Sequence, residues 1–220
     1  METNWVVDCA APAHNKVQAA LDLLSRSKNN EIQLHLPAIC IAEARHPIST
    51  KFQISQSSDR VRQFTTWALS TNRLTAEHAG IIRTGIDLME NVVKNDLRRM
   101  EATLRDLTKS PGLDVFPMSH AMLARSTDLC FELAELKPYD QAVLAAILVR
   151  ADELLKNGER ELVFCELDSD LQPWDRSRRL KPKLTDLYNR ANIWVYGDYL
   201  LQGPAIMPKD WHYRTSKKSE

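Results

Sequence analysis

No run of about 18 consecutive apolar residues occurs in this chain. The longest candidate, Ala142 to Val149, is too short to cross a bilayer as a helix, and no membrane partner is expected. Glycine and proline are sparse, at 6 and 10 of 220 residues, which excludes a collagen-like or low-complexity chain. The sequence has no CxxC and no HExxH, so a zinc site is not expected. Its four cysteines, Cys9, Cys40, Cys130 and Cys165, are widely separated and suit reduced, buried thiols rather than a disulfide framework or a thiol nucleophile. Neither sign of charge is in excess: 29 Lys+Arg balance 29 Asp+Glu, which argues against a surface coated in positive potential while allowing local basic patches. Met1 to Ala10 carries no basic region followed by an apolar run, so no secretory signal is read there and the expected location is cytoplasmic.

What is present is 44% hydrophobic and 26% charged residues, enough for a packed core. One domain is expected over residues 1–213, with the polar residues 214–220 as a disordered tail. Asn4 to Asp8 (NWVVD) reads as a strand, Ala11 to Leu24 as a helix, Glu31 to Leu36 as a second strand, and Pro37 opens a second helix through Glu43. Parallel pairing of those strands requires a crossover, which the intervening helix supplies. From about residue 57 to 137 strand signals vanish, and an all-helical insertion is expected. Its centre is Thr75 to Leu107, where Ile82, Ile86, Met89, Val93, Leu97, Met100, Leu104 and Leu107 recur at steps of three and four. The plain reading of that stripe is core; its length and spacing also permit a coiled-coil contact with another copy of the chain. The alternating pattern then resumes: a helix from Pro138 to Lys156, a buried strand from Glu161 to Cys165, a short helix from Leu184 to Arg190 and a strand from Ile193 to Tyr196.

Acids stand near the carboxyl ends of these strands, where ligands of parallel α/β sheets bind. Asp8 ends the first, Glu43 lies a turn or two into the helix after the second, Asp140 is in the first turn after Pro138, and Asp168 and Asp170 follow the third in FCELDSDL. Each has a plainer role open to it. The helix dipole accounts for an Asp in a first turn, and turn formation accounts for Asp168 and Asp170. Glu43 and Asp8 sit among apolar residues, where a buried carboxylate without a partner is costly. Converging carboxylates repel unless a cation neutralises them, and oxygen-only ligands select Mg²⁺ or Mn²⁺.

Four segments carry a resemblance to a known family. WVVDCAAP with Asp8, PAICIAEARHP with Glu43, PYDQAVLAAIL with Asp140, and LVFCELDSDLQPW with Asp168 and Asp170 resemble, in order, the motifs of the PIN-domain metal-dependent nucleases, many of which are toxins of toxin-antitoxin pairs. LYNRANIWVY is similar to the family's last helix and strand. The resemblance covers Asn4 to Pro47 and Pro138 to Tyr196. It departs from the family at Glu166, where Thr or Ser is usual, and in the length of the insertion. It implies an α/β fold, a PIN-like parallel sheet flanked by helices, carrying a single-strand endoribonuclease. Asp8, Asp140 and Asp168 would hold Mg²⁺ or Mn²⁺, Glu43 would hold metal or orient water, and Asp170 would assist. For toxin members a protein inhibitor is implied as partner.

Arg176, Arg178, Arg179, Lys181 and Lys183 follow the last acidic motif and are candidates for binding the phosphates of an RNA strand, with a solvated loop as the plainer reading. Trp174 beside them is either a stacking surface for a base or core. Two competing functions stand beside the nuclease. A haloacid-dehalogenase-type phosphatase also places an Asp after its first strand, but wants a second two positions on, where Ala10 stands. The other is a non-catalytic module on a PIN-like scaffold that binds RNA or protein, which Glu166 leaves open.

Overall fold

The computed structural model describes residues 1–12, 15–51 and 55–201; the tail expected at 214–220 lies outside them. The chain is mixed α/β and mostly helical. In order it forms α1 (Thr3–Ala10), α2 (Gln18–Lys28), β1 (Leu34–Pro37), α3 (Ala38–Lys51), α4 (Ser55–Ser70) and α5 (Ala76–Leu107). There follow β2 (Leu113–Phe116), α6 (His120–Glu132), α7 (Pro138–Lys156), β3 (Leu162–Cys165), α8 (Pro182–Arg190) and β4 (Ile193–Tyr196).

The strands form two parallel pairs. β1 pairs with β2 in the register Leu34↔Leu113 to Pro37↔Phe116, and β3 with β4 from Leu162↔Ile193 to Cys165↔Tyr196. Between the pairs runs a cleft of about 640 Å³, lined by Leu34 and His35 on one side and by Leu162 to Cys165 on the other. The Met1 ammonium reaches into it and donates to the His35 carbonyl at 2.8 Å. A single parallel sheet was expected, and one element explains the difference: Asn4 to Asp8 lies within helix α1 instead of forming a strand. Val6-Val7 favours strands by propensity. Tertiary burial overrides that here, because Trp5, Val6, Val7, Cys9 and Ala10 are all buried, the Trp5 ring N–H donates to the Ala20 carbonyl at 3.2 Å, and the Glu2 carboxylate caps the helix by accepting from the Asn4 N–H.

The segment expected to be wholly helical also contains a strand. β2 is only four residues long and is paired over a crossover of three helices, so no local signal announces it. Its partner contacts are specific nonetheless. Asp114 of β2 accepts from Arg150 of α7 at 2.5 Å and lies 2.9 Å from His35 of β1. The turn into β2 depends on Gly112, whose φ is +74° and against which Ser27 of α2 leaves no room for a side chain. A Cβ there would lie 2.1 Å from the Ser27 carbonyl oxygen.

The long helix is as its periodicity indicates. Ile86, Met100, Leu104 and Leu107 are buried, and Ile82, Val93 and Leu97 are half-buried, whereas Met89 is exposed. The C-terminal half of α5 packs on α1 and α3; its N-terminal half packs on α4. Helix α7 buries Val143, Leu144, Ala145, Ala146 and Leu148, its alanines allowing close approach to β1 and α6. Pro138 at its first turn loses no hydrogen bond and fixes where it begins, which places Asp140.

Gly112→Ala is expected to destabilise the chain by about 2–4 kcal/mol through the clash and the positive φ together, as read by urea unfolding. A loss below about 0.5 kcal/mol would contradict the Ser27 contact.

Candidate metal centre

β3 delivers the chain into the acidic loop that follows it, and several side chains fix that loop. The Gln172 amide donates to the Glu166 carbonyl at 2.9 Å, the Tyr188 hydroxyl to the Leu171 carbonyl at 2.9 Å, and the Lys181 ammonium to the carbonyls of Ser169 and Asp170. Within the loop, the Asp170 N–H donates to Asp168 Oδ1 at 2.8 Å. Asp140, in the first turn of α7, faces this loop. One carboxylate oxygen from each of Asp140, Asp168 and Asp170 lies within 4.8 Å of the others, a spacing one cation can bridge. Lys137 supplies the nearest opposite charge, 3.3 Å from Asp170 Oδ2.

A cavity of about 190 Å³ opens beside these acids, lined by Glu2, Thr3, Glu43, His46, Asp140 and Asp168 among others. Glu43, on α3, has its Oε2 fixed by the Thr3 hydroxyl, which donates to it. Glu2 is 4% exposed; its Oε2 accepts from the Asn4 N–H at 2.7 Å. Directly below the acidic loop, Glu166 is fully buried and accepts from the Asp168 N–H through Oε1. Among the described residues, three carboxylate oxygens here are buried without a hydrogen-bond partner: Glu2 Oε1, Asp140 Oδ2 and Glu166 Oε2. Such groups are costly unless protonated or met by a cation.

Their acidities follow from that environment. Burial pushes Glu2 up to about 7, against the Asn4 hydrogen bond and the Met1 ammonium, with Asp168 and Asp8 adding to the rise. Burial, and then Glu2, raise Glu166 well above the usual carboxyl range. Asp140 is raised by burial and then by the charge of Asp168.

Of the acids expected from the sequence, Glu43, Asp140 and Asp168 line one cavity, and Asp170 joins Asp140 and Asp168. Asp8 does not line it. It sits near the end of helix α1, where its Oδ2 accepts from the Tyr199 hydroxyl at 3.2 Å. The acid that α1 does bring to the cavity is Glu2, which the sequence reading missed. Trp5, Val6, Cys9 and Ala10 recur at helical spacing, and that signal would have placed Glu2 at a helix N-cap. In the basic run Arg176, Arg178 and Arg179 are exposed on a turn organised by Asp175, whose Oδ1 accepts from the Ser177 and Arg179 N–H groups. Lys181 is committed to the loop carbonyls instead of facing solvent, and Lys183 donates to the Glu132 carbonyl at 2.7 Å. Trp174 is 5% exposed and belongs to the core.

Because its pKa is raised, folded Glu166 retains a proton that the unfolded chain releases near 4.5, so its contribution to stability falls as pH rises above that value. The Met1 ammonium, whose pKa burial lowers, acts in the opposite sense and is common to any variant compared. With chelator present, Glu166→Gln, which keeps an oxygen for the Asp168 N–H, is expected to gain on the wild type in urea unfolding as pH rises above about 4.5. A difference that stays constant with pH would refute the assignment.

No family model, curated protein or solved structure matches this chain, so its function is argued from the geometry of these carboxylates.

Proposed function

We propose that the chain is a metal-dependent phosphodiesterase that cleaves single-stranded RNA, using Mg²⁺ or Mn²⁺. The observation that carries this reading is the meeting of Asp140, Asp168 and Asp170 oxygens within 4.8 Å beside a cavity that also receives Glu2 and Glu43. The donor set fits such an ion: all its atoms are carboxylate oxygens, no thiol or imidazole is among the three, and Asp140 Oδ2 has no other partner. An ion bound there would supply a water acidic enough to attack at neutral pH and positive charge for the phosphoryl oxygens.

The chain's own residues do the rest. Asp140, Asp168 and Asp170 would hold the ion, and the hydrogen bonds from Gln172, Tyr188 and Lys181 fix the loop that carries two of them. Glu43, oriented by Thr3, accepts a proton from the attacking water across the cavity. Glu2 lines the cavity where Asp8 was expected. Arg176, Arg178 and Arg179 bind backbone phosphates of the incoming strand, which gives affinity that falls with salt and carries little sequence preference. Cleavage of the bond to the 3′ oxygen leaves a 5′ phosphate. This is the chemistry the PIN-like motifs imply; a protein inhibitor that blocks the cavity belongs to the same reading.

Asp140→Asn and Asp168→Asn are each expected to lower cleavage of a labelled single-stranded RNA pool by about 10²- to 10³-fold in Mn²⁺, whereas Asp8→Asn loses less than about 3-fold. Equal losses in all three, or cleavage that persists in chelator, would overturn the assignment. Independently of activity, Mn²⁺ is expected to raise the melting temperature of the wild type and not of Asp140→Asn. If Mn²⁺ binds and no RNA is cut, the chain is a binding module on this scaffold.

A further inference from the structure

Helix α4 packs chiefly on α5, and together they form an arm that leaves large apolar side chains in water. On α4 these are Val61, Phe64 and Trp67, with the last two rings 5.6 Å apart; on α5 they are Ile81, Leu88 and Val92. Each is 44–64% exposed. At 100° per residue, Ile81, Leu88 and Val92 fall within about 40° of one another and far around the helix from the buried Ala79 and Ile86. Arg62 bridges to Asp87 and Glu90 on the opposite side of the α4–α5 contact, so the apolar face has no ion pair across it.

We propose that this face is where two copies of the chain associate, their α5 helices crossing antiparallel with Leu88 against Leu88 on the two-fold axis. Three observations favour a second copy. Ile81, Leu88 and Val92 are each at least 60% exposed along one stripe of α5, large apolar side chains for open surface. The stripe is self-complementary in charge: Glu77 and Arg99 lie on the same face as Leu88, eleven residues before it and eleven after it. An antiparallel two-fold therefore sets each Glu77 beside an Arg99 of the other copy, as an isologous interface requires. Gly85, between Ile81 and Leu88, would meet nothing within 4 Å if it carried a Cβ, so the space beside it is free for the partner helix to approach closely. Arg99 is 82% exposed and its contact with Asp96, at 3.7 Å, is a weak competitor.

Sedimentation velocity of the full chain from about 1 to 100 μM, with circular dichroism as the control for folding, tests this. The wild type is expected to dimerise in that range. Leu88→Glu, which sets two carboxylates face to face on the axis, is expected to weaken association at least 100-fold without changing the melt. Glu77→Arg alone is expected to weaken it about 10-fold, with recovery when Arg99→Glu is added. Leu88→Cys is expected to give a disulfide-linked dimer on mild oxidation that the wild type, with its exposed Cys130, does not give. A wild type that stays monomeric throughout overturns the proposal. So does an oligomer that is indifferent to Leu88→Glu and forms no Leu88→Cys cross-link.

Discussion

Glu166 is a carboxyl group with no contact with water, and the structure around the ends of β1 and β3 is built against that constraint. A carboxylate in such a place has to be protonated, hydrogen-bonded or neutralised. One Glu166 oxygen is satisfied by the Asp168 N–H, which fixes the first turn of the acidic loop and so aims Asp168. The other faces the region that Glu2 and the Met1 ammonium also occupy. From there the acids step outward in exposure, from buried Glu2 and Glu166 to half-buried Asp140, Asp168 and Asp170 and then to Lys137 at the surface. The deepest carboxyls are the ones that burial keeps protonated, and a cation at the three aspartates would lie between them and solvent.

Most helices and three of the four strands were legible because their signals are local. Pro138 and the turn after Lys156 bound α7, the three-four stripe defines α5, and ELVFC and IWVY are short apolar runs between breakers. The failures share a cause. Whether NWVVD is strand or helix depends on what buries it, and whether LDVF is strand or loop depends on β1 arriving alongside; both are decided by contacts distant in sequence. Helical NWVVD leaves two paired strands on each side of a cleft, so this misread segment is also absent from the single sheet that was expected.

The site shows the same division. Asp140, Asp168, Asp170 and Glu43 could be read because each follows a strand or opens a helix in a recognisable order, and they do converge. Asp8 lies outside the cavity lining because its direction rested on the strand that is not there: in a helix, Asp8 is six positions beyond Glu2, about 9 Å along the axis, and Glu2, Thr3 and Asn4 are the residues of that segment that line the cavity. Lys181 shows a different limit. Sequence marks it as one cation in a basic run, while its ammonium is used to tie two loop carbonyls together, which is positioning of Asp170 instead of contact with a nucleic acid.

α5 links the two surfaces that matter. Its C-terminal half, through Met100 and Leu104, belongs to the core beneath α1 and α3, the helices that present Glu2, Thr3 and Glu43 to the cavity. Its N-terminal half carries the open apolar stripe. The 32 residues are continuous, so an association through the arm would be connected to the cavity walls by one uninterrupted helix. In an antiparallel crossing at Leu88 the two C-terminal halves point away from each other, and Met100 lies about 18 Å beyond the crossing on each side. The acidic cavities, walled by residues of α1 and α3 that pack on α5, would then stand on opposite sides of the crossing, so the proposed pairing and the acids would use different parts of the chain.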